Sequence, residues 1–168
     1  KPDEGDVIID GVNIKDDGDT IKLVMGVVPQ EIALYDELSA YENLMFWGGL
    51  YDIPKKELRT IVNKTLEIVD LEGRKADRIK TFSGGMKRRI NIACSLLHNP
   101  RILVLDEPTV GVDPQNRNHI FEVIERLNNE GMTIIYTTHY LEEAERFCDN
   151  ISIIDVGRII AQGTLKEL

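Results

Sequence analysis

Positive charge is scarce in this chain. Lysines and arginines number 20 against 29 aspartates and glutamates, a formal net charge of −9 over 168 residues. A nucleic-acid partner calls for a basic surface, so none is expected. Cysteine is scarce too: Cys94 and Cys148 form no C-x-x-C pair and fall in helix-like segments. A reduced cytosolic protein with two inert thiols fits that best. No apolar run approaches the roughly 20 residues of a membrane-crossing helix; work at a membrane would need a separate anchor. Hydrophobic content of 42% and charged content of 29% are ordinary for a globular domain with one sizeable core.

What is present is regular alternation. The chain opens with turn residues at Asp3-Glu4-Gly5, a strand at 7–9 and a hairpin turn at Asp10-Gly11. Residues 21–30, IKLVMGVVPQ, read as a second strand ended by Pro29. From Glu31 to about Leu97 the pattern is helical. Leu58, Ile61, Val62, Thr65, Leu66 and Val69 keep i, i+3, i+4, i+7 spacing behind Pro54, a good early-helix residue. Ile90, Ala93 and Leu97 continue one face of a helix that starts after Ser83. The last third alternates the apolar strands RILVLDE and MTIIYTTH with a helix after Asp113-Pro114 and a short acidic helix at 140–145. A hairpin across Val156-Gly157 closes it. Unbroken apolar strands between amphipathic helices imply a parallel sheet covered on both faces. The fold class is α/β.

Several places can carry chemistry. In TFSGGMKRRINIA (81–93), Ser83 suits an N-cap, and Gly84 and Gly85 leave first-turn N–H groups uncovered. That is a seat for a phosphate, yet no lysine-bearing loop of the form G-x-x-x-x-G-K-[ST] occurs. Ligands of parallel α/β sheets gather at the carboxyl ends of the strands, where RILVLDE delivers Asp106 and Glu107. One carboxylate can help hold a metal through water, and the next can orient or deprotonate an attacking water. Alone that strand is a weak signal, because many strands end in an acid. His139, at the end of the next strand, is as weak alone, and His98 and His119 read as structural. Asp113 is also a natural helix N-cap before Pro114. Lys87-Arg88-Arg89 reads first as a solvated helix face, and second as a contact for a nucleotide or partner.

The order of the parts is more specific than any one of them. Gln30 ends a strand, SGG starts a helix, LVLDEPT ends a strand, GVDP follows, and His139 ends the next strand. Across essentially the whole chain this resembles the nucleotide-binding domain of ATP-binding cassette (ABC) proteins. The wording of 31–51 and of PTVGVDPQNR is most similar to drug- or multidrug-type exporters of bacteria and archaea. The resemblance implies a three-layer, P-loop NTPase-like parallel-sheet core, a helical signature subdomain and remnants of an antiparallel β subdomain. It divides the chain into 1–30 (β region and Q-loop), 31–97 (helical subdomain) and 98–168 (core). It implies ATP and Mg2+ as cofactors. By the same resemblance Gln30 is the Q-loop glutamine that senses Mg2+ and the γ-phosphate, and Ser83, Gly84 and Gly85 are the signature motif. Asp106 is the Mg2+-organising aspartate of Walker B, Glu107 the general base, Asp113 the D-loop aspartate and His139 the switch histidine. In this family the signature helix caps ATP bound to the opposite subunit of a head-to-tail dimer, so the seat at Ser83 is for a partner's nucleotide.

Three departures from the family pattern stand out. Met86 replaces a common glutamine, VGVD replaces serine-alanine-leucine-aspartate, and the phosphate loop is missing. KPDEGDVIIDG resembles what members carry just after the helix that follows that loop. The expectation is an N-terminal truncation, with the loop preceding Lys1 and a possible extension beyond Leu168. In the family the phosphate-loop strand lies between the strand ending at His139 and the strand at 151–154, so those two are expected to show unpaired edges. These 168 residues alone are expected to bind Mg-ATP weakly and turn over none.

The expected partners are a membrane permease subunit and a second ABC ATPase domain, with the protein cytoplasmic and peripheral on the inner face of the membrane. Leu34 and Tyr35, just past Gln30, are the expected apolar docking patch; Phe46 and Trp47 are expected inside the helical subdomain. A second class remains open: a non-transport ABC ATPase, such as a ribosome-associated protein with two cassettes. The chromosome-type members carry a long coiled coil between the positions of Gln30 and Ser83, where this chain has a compact segment. A non-hydrolysing regulatory module sits poorly with retained Asp106, Glu107 and His139.

Overall fold

A computed structural model of the chain describes residues 2–168. Two short strands, β1 (Ile8–Ile9) and β2 (Val12–Asn13), pair antiparallel. Their turn places Asp10 at φ 52° and Gly11 at φ 80°, the left-handed pair that a tight hairpin needs. The strand expected over 21–30 is shorter. Residues Gly18–Val24 form helix α1, and only Met25–Val28 form strand β3. Asp17 decides the difference by accepting the Thr20 amide as an N-cap. Of the alternating apolar residues, Ile21 is buried while Leu23 is left exposed.

The middle of the chain is helical. Helix α2 (Ala40–Gly48) begins with a reciprocal capping box between Ser39 and Glu42. Helix α3 (Lys55–Ile68) buries Leu58, Val62, Thr65 and Leu66, the stripe expected from its periodicity. Helix α4 (Gly84–Leu96) starts from Ser83, whose hydroxyl accepts the Met86 amide at 3.3 Å. These three helices share one core with Ala40, Leu44, Ile79 and Ile90. Trp47 packs against that core, but Phe46 does not belong inside it: the residue is 44% exposed, its ring set edge-on against exposed Tyr35 at 4.9 Å. Arg88 and Arg89 also depart from expectation, since both are buried rather than solvated. Arg89 donates to the Val69 carbonyl at 2.9 Å, satisfying the end of α3.

The sheet follows. Strand β4 (Ile102–Asp106), helix α5 (Pro114–Asn129) and strand β5 (Thr133–Thr137) give the order β3-β4-β5, all parallel. Register puts Val28, Leu105 and Tyr136 side by side, and Gly26, Leu103 and Ile134. That face turns to the core. The opposite face carries Val27 and Ile135, each about half exposed, and at its end Asp106 beside Thr137. Helix α6 (Leu141–Phe147) leads into an antiparallel hairpin, β6 (Ile151–Asp155) and β7 (Arg158–Gly163). Among the described residues β5 pairs only with β4 and β6 only with β7, so each keeps the unpaired edge expected of it.

Candidate functional site

The carboxyl ends of β3, β4 and β5 converge on one carboxylate. Gln30 Nε2 donates to Glu107 Oε2 at 3.0 Å, and His139 Nδ1 lies 3.1 Å from Glu107 Oε1. Glu107 has φ 43°, a left-handed conformation that costs a non-glycine residue about 1–2 kcal/mol. Thr137 helps hold it there. Its carbonyl and its hydroxyl both accept the Glu107 amide, at 3.2 and 3.0 Å. The same hydroxyl donates to Asp106 Oδ1 at 2.6 Å, as the shared face of paired residues 106 and 137 allows. Gln30, Asp106, Glu107 and His139 are therefore one group, with Thr137 at its centre.

Helix α4 reaches this group from behind. Arg88 donates to the Pro29 carbonyl at 2.7 Å and also to the Gln30 carbonyl. Burial pulls its pKa below the ordinary value, an effect partly offset by attraction to Asp106. Hydrogen bonds from a charged donor are worth about 1.5–3 kcal/mol each, so these two fix the backbone that aims Gln30. Lys87 and Asn91 extend the clamp: Lys87 pairs with Asp36 at 2.7 Å, and Asn91 Oδ1 accepts the Ala33 amide at 3.3 Å.

Ser83, Gly84, Gly85 and Asp113 form a second group at the N-termini of α4 and α5. Asp113 caps α5, with one oxygen accepting the Asn116 amide at 3.1 Å and the other its side-chain amide at 2.7 Å. Those two hydrogen bonds hold the Asp113 carboxyl below the usual range. The two glycines differ. A Cβ on Gly84 would meet nothing within 4 Å, whereas one on Gly85 would lie 2.2 Å from Asn116 Cβ. Gly84 is the open position. Gly85 is a contact between helices within this chain, a packing role additional to the phosphate approach that the resemblance implies for it. The Gly84 and Gly85 amides lie in the helix's first turn, where no acceptor exists along the helix.

The sequence alone does not single out Thr137 or Asn116, and Arg88 reads there only as part of a surface basic cluster. The doubled threonine before His139 and the arginine pair after SGG were visible, but nothing in them told which hydroxyl or guanidinium turns inward. Among the described residues no group of three histidine, cysteine or acidic side chains gathers as a metal cage. Mg2+ keeps most of its waters and takes one or two carboxylates plus substrate phosphates. Asp106 and the side-chain oxygen of Gln30 supply hard oxygen donors at the right strand ends.

A parallel sheet with carboxylates, an amide and a histidine at its strand tips, beside a glycine-led helix, is a P-loop NTPase-like α/β fold. Residues 1–110 match the ABC transporter family. The linearmycin resistance ATP-binding protein LnrL of Bacillus subtilis is 52% identical over 166 residues, covering 99% of this chain and 53% of that protein. The daunorubicin resistance ATP-binding protein DrrA3 of Streptomyces coeruleorubidus is 37% identical, covering 100% of this chain and 53% of that protein. The chain thus spans about half the length of the curated relatives it matches. Among solved structures, cbiO1 of Clostridium perfringens, part of the ABC transporter complex cbiONQ, superposes with a TM-score of 0.88 at 31% identity, covering 99% of this chain and 68% of that one. The ATP-binding cassette MJ0796, a dimer bound to ADP and Pi, gives 0.82 at 29%, covering 98% and 75%. The chain belongs to the ABC transporter family.

Proposed function

We propose that this chain is the ATP-hydrolysing part of an ABC exporter's ATP-binding subunit, working as a head-to-tail pair on the cytoplasmic side of a separate membrane permease. The observation that carries the reading is the pair of donors on Glu107. With Gln30 on one oxygen and His139 near the other, the carboxylate is fixed in direction and keeps free lone pairs for a water proton. Glu107 is the general base, and His139 and Gln30 orient it. Bound Mg2+ would neutralise charge on the phosphates, held through Asp106 and Gln30. Ser83 and the uncovered amides of Gly84 and Gly85 would receive the phosphate of the partner subunit's ATP, with Asp113 fixing the neighbouring α5 end.

Relatives named for linearmycin, daunorubicin and doxorubicin resistance support drug export as the transported class. Tyr35 and Phe46, exposed and in contact, supply the permease-facing patch, with half-buried Leu34 beneath.

The test is Glu107→Gln in the complete protein. General-base removal should cost about 10²–10⁴-fold in hydrolysis, with ATP binding intact and an ATP-bound dimer accumulating. Hydrolysis near the wild-type rate would overturn the assignment of Glu107.

A further inference from the structure

Helix α6 carries Glu142, Glu143 and Glu145, and one of them is misplaced for a surface helix. Glu143 is 5% exposed, the only buried carboxylate among the described residues. Its oxygens accept three hydroxyl hydrogen bonds. Thr109 Oγ1 donates to Oε1 at 2.8 Å, while Tyr136 Oη and Thr138 Oγ1 donate to Oε2 at 2.9 and 2.8 Å. The donors come from three places: the turn two residues past Glu107, the interior of β5, and the residue just before His139. Burial, then the hydrogen bond to Glu143, raise the Tyr136 phenol well above its ordinary range, so it remains a donor. Thr138 Oγ1 also accepts the Tyr140 amide at 3.0 Å, passing the constraint into the turn that presents His139.

A buried carboxylate without a cationic partner is costly, and an apolar residue would fill the same space more cheaply. We propose that Glu143 is a positioning residue for hydrolysis. By tying the turn after Glu107 to the turn before His139, it sets the 3.1 Å approach of those two side chains. Glu143 touches no reacting atom; it acts through Thr109 and Thr138. The inference rests on the reading of Glu107 and His139 given above.

The test compares Glu143→Ala, Glu143→Gln, Thr109→Val and Glu107→Gln in the complete protein, scoring kcat, KM for ATP and the number of ATP sites per chain. Loosening a reacting pair by about 1 Å costs on the order of 10²-fold. Glu143→Ala should therefore lower kcat by roughly 10–100-fold, with KM and site number unchanged. Glu143→Gln should recover most of that loss, because its oxygen can accept from Tyr136 and Thr138 while its NH2 donates to Thr109. Thr109→Val removes one tie without emptying the site, and should lower kcat several-fold at constant KM even where Glu143→Ala does not fold. Wild-type kcat in Glu143→Ala or Thr109→Val overturns the proposal, as does a kcat loss that merely tracks lost ATP sites, or a Gln variant as slow as the Ala variant. Should Glu107→Gln itself hydrolyse ATP normally, the underlying site assignment is what fails.

Discussion

Replacing Gly85 with alanine adds one methyl group to a helix, a change that ordinarily stabilises by up to about 1 kcal/mol. Here the opposite is expected. The new Cβ would sit 2.2 Å from Asn116 Cβ, 2.5 Å from its Cγ and 2.8 Å from its Oδ1. Ordinary contact begins at 3.4 Å, so the two atoms must part by about 1 Å. Asn116 Cβ is fixed to the α5 backbone and cannot rotate away. Gly48, by contrast, faces the tip of Leu58, which can move. Relief at Gly85 therefore requires shifting the start of α5 or breaking both hydrogen bonds between Asn116 and Asp113. Overpacking costs about 1–3 kcal/mol; a clash this short against a backbone-fixed atom belongs in the upper part, about 2–3 kcal/mol, and subtracting a helix gain of about 1 kcal/mol leaves roughly 1–2 kcal/mol net. At about 2–4 °C per kcal/mol for a domain of this size, the melting temperature should fall by roughly 2–8 °C. Gly84→Ala, with nothing in the way, should leave it unchanged or slightly raised, while hindering a phosphate at the same helix end. The assay is thermal melting of both variants, alongside ATP-driven dimerisation. An unchanged or raised melting temperature in Gly85→Ala would refute the packing argument.

Two further outcomes follow from the geometry. His98 stacks on Tyr51 at 4.1 Å and its Nε2 meets the Met25 carbonyl at 3.1 Å, while its Nδ1 is buried without a partner. Burial lowers its pKa from 6.5, against the smaller opposing pull of the Met25 carbonyl. The neutral ring is thus favoured by folding: stability is full above pH 6.5 and falls as pH drops through 6.5 toward the lower folded value. Denaturant melts at pH 7.5 and pH 5 should show that slope, and His98→Gln should flatten it. Tyr35→Glu with Phe46→Glu should abolish co-purification with the permease and change melting by no more than about 4 °C, since exposed positions shift stability by about 0.5 kcal/mol each; retained permease binding would remove this patch from the interface.

Sequence pattern located the elements where periodicity is strong, and missed where a single hydrogen bond decides. The stripe of α3 and the apolar runs of β4 and β5 are visible because burial demands them. Residues 21–24 belong to the apolar stretch 21–30 that reads as strand, and a cap by Asp17 makes them the end of a helix instead. The buried arginines follow the same logic. Lys87, Arg88 and Arg89 look alike in sequence, but unsatisfied carbonyls at Pro29, Gln30 and Val69 draw two of the three inward. Motif order brought Gln30, Asp106, Glu107 and His139 to attention. It carried no sign of Thr137 or Glu143, whose importance depends on which neighbour lies across a strand.

The backbone at Glu107 sets two kinds of selection against each other. Asparagine and glycine occupy left-handed φ more easily than glutamate does, so either would ease the chain at that point while removing its carboxylate. A library screened for heat resistance alone should therefore collect changes at 107, and, with Glu107 as the proposed general base, its most durable members should be the ones that do not cleave ATP.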